Sequence, residues 1–236
     1  MGKTPVTPEE QLAQNWERLR LQIPPQVRVV AVTKQVPVEL IRQAYYLGLR
    51  DFGENRIQEA IPKIQALQDL PGITWHFIGH LQRNKARLAL EYFPWIHSVD
   101  DLALAQRLDR LNAQLHQPAQ LLLQVKLRPD PHKYGWQVPD LLQAIPALQQ
   151  LQHVALKGLM TIAPLGLSPT ELQALFRELV ALGQQLCDRL PIQEYSMGMS
   201  DDYPYAIAAG ATMVRLGRCL FGERPTAPAG YPLKNL

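Results

Sequence analysis

Eight short runs rich in β-branched and other apolar residues, each followed by a stretch of helical periodicity, constrain this chain more than any other feature. The runs begin near residues 27, 50, 73, 95, 120, 153, 194 and 211. VRVVAVT (27–33), just after Pro24-Pro25, is too short for most helices and reads as a buried strand. The others are a short stretch at 50–53, ITWHFIG (73–79), WIHSV (95–99), QLLLQVKL (120–127), HVALKGLM (153–160), EYSMG (194–198) and ATMVRLG (211–217). Helices are predicted over 37–47, ending at Gly48, then through Ile57, Ala60, Ile61, Ile64 and Leu67, over 82–91, from Asp100, and over 138–150. Ser168-Pro169-Thr170-Glu171 is a capping box that opens a long helix burying Leu172, Leu175, Phe176, Leu179, Leu182 and Leu186. A short helix follows at 202–209. Pro62 and Pro146 fall inside expected helices and predict a kink or a later start.

Strands alternating with amphipathic helices imply βαβ units and a parallel sheet. Eight of them favour a closed barrel over an open sheet. The turn after the first strand, AVTKQVP, also lacks the G-x-G-x-x-G of a dinucleotide fold. The expectation is an α/β chain forming one (β/α)8 TIM-type barrel, with the barrel proper over about 27–222 and residues 1–236 a single domain. An extra N-terminal helix is opened by Thr7-Pro8-Glu9-Glu10, with Leu12, Trp16 and Leu19 at helical spacing.

Composition narrows the function. The net charge is only +3 and the charges form no long basic run, so neither nucleic acid nor a membrane surface is expected as a partner. The start MGKTPVTPEEQ has no apolar targeting region, and no run approaches a spanning helix. Cys187 and Cys219 make no disulfide framework and read as buried free thiols, which fits a cytoplasmic location.

In a barrel of this kind the site lies at the C-terminal ends of the strands, and phosphate usually binds after strands 7 and 8. The first strand ends in Thr33-Lys34, and burial of a lysine disfavours the ammonium and frees the amine to attack an aldehyde. The alternative is a lysine that reaches out to solvent past the strand end. After strand 7, Ser196 and Ser200 offer hydroxyls, while Gly198 lets backbone approach a ligand. After strand 8, Gly217-Arg218 offers backbone N–H groups of the kind that hold phosphate. A lysine that can form a Schiff base, opposite a phosphate cradle, meets the requirements of pyridoxal 5′-phosphate. Arg215 either faces the pyridine nitrogen or pairs with a carboxylate such as Glu194; Asn55 either lines the pocket or caps a helix. Met160 closes the sixth strand. His76, His80 and His97 show no metal-ligand spacing, and His76 reads as a satisfied core histidine. His132 and Lys133 lie in a polar loop and read as solvated.

AVTKQVP (31–37), FGENRIQE (52–59), WHFIGHLQRNK (75–85), GLMTIAP (158–164), SMGMSDDYPYAI (196–207) and VRLGRCLFG (214–222) occur in this order over nearly the whole chain. Together they resemble the signature blocks of the pyridoxal phosphate homeostasis protein family, which is similar to the barrel domain of bacterial alanine racemase and related decarboxylases. The resemblance implies that Lys34 forms the Schiff base, that Ser196, Ser200 and the Gly217-Arg218 backbone hold phosphate, and that Arg215 lies at the pyridine ring. It places Asn55 and Met160 among the cofactor-contacting residues. Departures are small: Thr33 stands where serine is common, and Gln35-Val36 and His80 occupy variable positions.

Racemases of this lineage use a second, β-rich domain that supplies a tyrosine, whereas here only ERPTAPAGYPLKNL follows Gly222. The resemblance therefore implies a non-catalytic holder of pyridoxal phosphate that acts in cofactor homeostasis and amino-acid and keto-acid balance. Apo-enzymes that use the cofactor are its expected recipients, and it is expected to be a monomer. A racemase-like enzyme, with Tyr134 or Tyr203 standing in for the absent tyrosine, is the alternative. A class-I aldolase using Lys34 on a sugar phosphate is a third reading.

Overall fold

The computed structural model describes residues 6–115, 117–130 and 133–222. The Pro-rich stretch after Gly222 and His132 lie outside the described residues.

The eight predicted strands all form, and each hydrogen-bonds in parallel to its sequence neighbours. They are β1 (Arg28–Val32), β2 (Asp51–Glu54), β3 (Thr74–Phe77), β4 (Trp95–Val99), β5 (Gln120–Gln124), β6 (Ala155–Met160), β7 (Glu194–Ser196) and β8 (Met213–Leu216). β8 returns to β1, with Val30 opposite Arg215 on one side and Asp51 on the other, and so closes the barrel. Most strands are shorter than their apolar runs, trimmed at one end or both.

The helices are α1 (Pro8–Gln22), α2 (Val38–Tyr46), α3 (Ile57–Ala66), α4 (Ala86–Tyr92), α5 (Leu102–Asn112), α6 (Val138–Leu148), α7 (Pro169–Leu186), α8 (Tyr203–Ala209) and α9 (Arg218–Phe221). Both predicted capping boxes are present: Thr7 with Glu10 opens α1, and Ser168 with Glu171 opens α7. α7 buries Leu175, Phe176, Leu179 and Leu186, each contributing about 1.5–3 kcal/mol of apolar burial. The extra helix α1 is fastened to the barrel by directional bonds as well as by packing. Asn15 Nδ2 donates to the Leu220 carbonyl (3.0 Å), Trp16 Nε1 to the Leu47 carbonyl (3.0 Å), and Tyr203 Oη to Gln22 Oε1 (2.5 Å).

Two expectations are corrected, and neither α3 nor α6 starts late at its proline. α3 and α6 run through Pro62 and Pro146. Each proline is exposed, so the N–H it lacks leaves unsatisfied a carbonyl one turn back, on Gln58 or Leu142, that is not fully buried. The segment predicted as one helix over 82–91 starts as a 3-10 turn, Arg83–Lys85, before α4. Cys187 is exposed, because it caps α7 on the outward side, and Cys219 is half-buried.

Alternation along the strands splits the apolar core in two. Outward residues such as Ala31, Phe52, Leu121, Leu123, Val214 and Leu216 join the helices in one large cluster. Inside, Trp95, Leu122, Met160 and Met213 form a small separate one. The rest of the interior is unusually polar, with His76, His97, Ser196 and Arg215 all buried, where branched aliphatic layers are the rule in such barrels. No helix among the described residues is long and apolar enough to cross a membrane.

Candidate functional site

A cavity of about 530 Å³ opens at the C-terminal ends of the strands, within the usual range for a small-molecule site. Six of the predicted residues line it: Lys34, Asn55, Ser200, Arg215, Gly217 and Arg218. Val32, Ile78 and Ile162 supply apolar walls. Lys34 is half-buried and stands just past β1. It enters a turn closed by the Val36 N–H donating to the Thr33 carbonyl (2.9 Å), in which Gln35 takes φ +58°. A non-glycine residue in that region costs on the order of 1–3 kcal/mol and recurs at functional sites.

The turn is braced from behind. Lys63 Nζ donates to the Thr33 carbonyl (2.7 Å) and lies 2.8 Å from Glu54 Oε1, while the Thr33 hydroxyl donates to the same carboxylate oxygen (2.6 Å). Glu54 is fully buried. Sequence reading missed this brace. Its one signal was a carboxylate and a lysine nine residues apart, and only the packing of α3 on β2 brings them together.

Asn55 does not cap α3; Arg56 holds the N-cap position. Instead Asn55 Oδ1 is buried without a hydrogen-bond partner in the cavity wall. An unpartnered buried acceptor costs about 1–3 kcal/mol, and a ligand that brings a donor recovers it. Gly53, in the inward register, lets Val30 and Ile78 pack closely over the backbone. A Cβ there would meet Val30 Cγ1 at 2.9 Å and Ile78 Cδ1 at 3.3 Å.

Arg215 is almost wholly buried and forms no ion pair with a carboxylate among the described residues; Glu194 accepts from the Thr212 hydroxyl instead (2.6 Å). Its guanidinium is held from below, Nη1 donating to Ser196 Oγ (2.7 Å) and Nη2 to the Thr161 carbonyl (2.8 Å). Burial pushes its pKa down to about 10, so it remains a cation at neutral pH.

Two predicted residues do not reach the cavity. Ser196 is fully buried, its hydroxyl engaged by Arg215 and by His97 Nδ1 (2.9 Å). It therefore sits beneath the guanidinium and not in a phosphate cradle. Met160 belongs to the inner apolar cluster. Both lie inside the barrel below the mouth, a depth that strand-end position alone does not reveal.

Two strands round the barrel from β1, the loop after β7 turns at Gly198 (φ +88°), where a Cβ would meet Ala206 Cβ at 2.6 Å. Ser200 Oγ accepts from the Cys219 N–H (3.2 Å) and so joins this loop to α9, and Arg218 pairs with Asp201. At the mouth His80 lies 3.1 Å from Asp100 and stacks on Tyr134 with ring centroids 3.5 Å apart. Lys133 is tied down, contrary to expectation, donating to the Ala163 carbonyl (2.7 Å). His76 is the satisfied core histidine predicted, bonded to Asp51 and His97.

Residues 9–225 match the family model for the N-terminal domain of alanine racemase. A pyridoxal phosphate homeostasis protein of Synechocystis is 54% identical over 206 residues, spanning 86% of this chain and 94% of that one. PipY of Synechococcus elongatus, in its structure with PLP bound, is 52% identical with a TM-score of 0.86, covering 89% of this chain and all of that one. Alanine racemase of Bartonella henselae shares the fold at 16% identity and a TM-score of 0.69; the alignment covers 92% of this chain and 61% of the racemase. The chain therefore belongs to the pyridoxal phosphate homeostasis protein family, built on the barrel of the alanine racemase N-terminal domain.

Proposed function

We propose that this protein holds pyridoxal 5′-phosphate reversibly on Lys34 and serves cofactor homeostasis, not catalysis. One observation carries the reading. A primary amine, an unpartnered buried amide oxygen and a guanidinium share one cavity, at Lys34, Asn55 and Arg215. The aldehyde of pyridoxal phosphate condenses reversibly with a primary amine and releases water. Asn55 Oδ1 suits the ring hydroxyl, and Arg215 can donate to the ring nitrogen and keep it unprotonated, which weakens the ring as an electron sink. Ser200 and the Gly217-Arg218 turn, in the same cavity, suit the phosphate.

The basic groups in the cavity favour a holder. A racemase needs a base on each face of its substrate. Among the described residues lining the cavity, only Lys34 and Asp201 can serve as bases, and Asp201 is paired with Arg218. Tyr134 and Tyr203 do not line it; one stacks on His80 and the other binds Gln22. The names borne by the relatives that match over most of their length agree with this role. The setting we propose is a cytoplasmic, monomeric, single-domain protein that passes its cofactor to apo-enzymes.

The test is the visible absorption spectrum of the purified protein with pyridoxal phosphate, before and after borohydride, with the reduced adduct located by peptide mass. A yellow protein with its adduct on Lys34, lost in Lys34→Ala and showing no amino-acid turnover, is expected. A protein that stays colourless and unmodified refutes the reading and favours an aldolase; loss of chirality in an amino acid favours a racemase.

A further inference from the structure

The barrel interior carries an unbroken chain of polar side chains that cofactor contact alone does not require. From the cavity downward, Arg215 Nη1 donates to Ser196 Oγ (2.7 Å), which lies 2.9 Å from His97 Nδ1. His97 Nε2 lies 2.9 Å from His76 Nδ1, and His76 Nε2 lies 2.9 Å from Asp51 Oδ1. The five residues come from β8, β7, β4, β3 and β2. Asp51 is the first residue of β2, at the end of the barrel away from the cavity, and the only member of the chain that is not buried.

Only one direction gives every proton in the chain a partner with both rings neutral. A guanidinium only donates and an ionised carboxylate only accepts. Ser196 must then pass its single proton to His97 Nδ1. His97 and His76 must both be neutral and carry their protons on Nε2. A second proton on His97 would set an N–H against the serine proton, and a second proton on His76 would set two N–H groups against each other. Burial pushes the pKa of His76 down, and that of His97 far down, in agreement with this assignment. The charged groups facing the pair are Asp51 on β2, Arg28 on β1, Glu194 on β7 and Arg215 on β8. Arg28 lies 3.8 Å from Asp51 and over the Trp95 ring.

We propose that Asp51, His76, His97 and Ser196 act as a positioning relay for Arg215. In this relay a carboxylate at the far end of the barrel orients the guanidinium presented to the ligand cavity. The proposal rests on the cofactor reading above, and the experiment separates the two.

Histidine-selective ¹⁵N NMR of the ligand-free protein should show the Nε2–H tautomer at both His76 and His97, unchanged from pH 6 to 8. Either ring found as the Nδ1–H tautomer, or titrating in that range, overturns the relay. Pyridoxal phosphate titration should then show about tenfold weaker binding in Ser196→Ala, which removes one hydrogen bond to a charged group. Asp51→Asn, which keeps an acceptor for His76 and deletes only the charge, should lose affinity in the same direction, with a shifted visible band. Variants that melt earlier yet bind like wild type would reduce the four residues to packing and overturn the proposal. Failure of the wild type to bind would end the cofactor reading alone. The tautomers, and slowed exchange of the Arg215 guanidinium protons that is lost in Asp51→Asn, would still decide the relay.

Discussion

Replacing Lys63 by methionine removes the cation from the brace behind Lys34 and keeps the apolar stem. Glu54 is fully buried, and Lys63 Nζ, 2.8 Å away, is the only cation within ion-pair distance of it among the described residues. After the change, only the Thr33 hydroxyl at 2.6 Å still serves that carboxylate, whose Oε2 already lacks a partner. Opening a buried pair by deleting one member costs about 3–5 kcal/mol, most of it the stranded charge. For a chain of this size each kcal/mol moves Tm by roughly 2–4 °C, so a fall of roughly 6–20 °C is expected. Calorimetric or circular-dichroism melting of Lys63→Met measures it. Adding Glu54→Gln, which removes the stranded charge, should recover most of the loss. A fall of less than about 2 °C, or no recovery in the double variant, would refute the argument that the ion pair, and not the packing of its stems, holds the turn.

Further outcomes follow from local geometry. Gly198→Ala should destabilise by more than about 1 kcal/mol and weaken cofactor binding, since φ is +88° and the new methyl meets Ala206 and the Tyr203 backbone; unchanged melting and affinity would contradict this. In the native protein an aromatic disulfide reagent should modify Cys187 first, because it is exposed, whereas burial pushes the Cys219 thiol up and leaves it less thiolate. Stability should also decline below pH 6.5. His76 and His97 have depressed pKa values in the folded state, so between that value and 6.5 the unfolded chain takes up protons that the native state refuses. Each histidine contributes a slope of at most about 1.4 kcal/mol per pH unit. His97→Leu, though less stable at neutral pH, should show a shallower acid loss in denaturant titrations, and an unaltered slope would rule this source out.

Much of this molecule was legible because the deciding interactions are local. Thr7 with Glu10 and Ser168 with Glu171 sit one helical turn apart, so their capping boxes depend on nothing distant. The strands announced themselves as β-branched runs between amphipathic segments, and their count, with parallel pairing, implied closure. Lys34, Ser200, Arg215 and Gly217-Arg218 line one cavity, as strand order implies, because a parallel barrel puts every strand's C-terminal end at one mouth. Depth was not legible. Ser196 and Ser200 are four residues apart in one loop, yet one supports a guanidinium from beneath and the other joins the wall to α9.

The sequence by itself determined the element order, the barrel and the end at which the candidate cavity opens, since periodicity, capping and strand polarity act over a few residues. The tertiary structure alone decided the burial of Glu54 against Lys63, the unpartnered amide of Asn55, and the passage from Arg215 through two histidines to Asp51. Those contacts join groups on different strands and helices. Their energies depend on exclusion of water and on distances near 3 Å, which exist only once the barrel has closed.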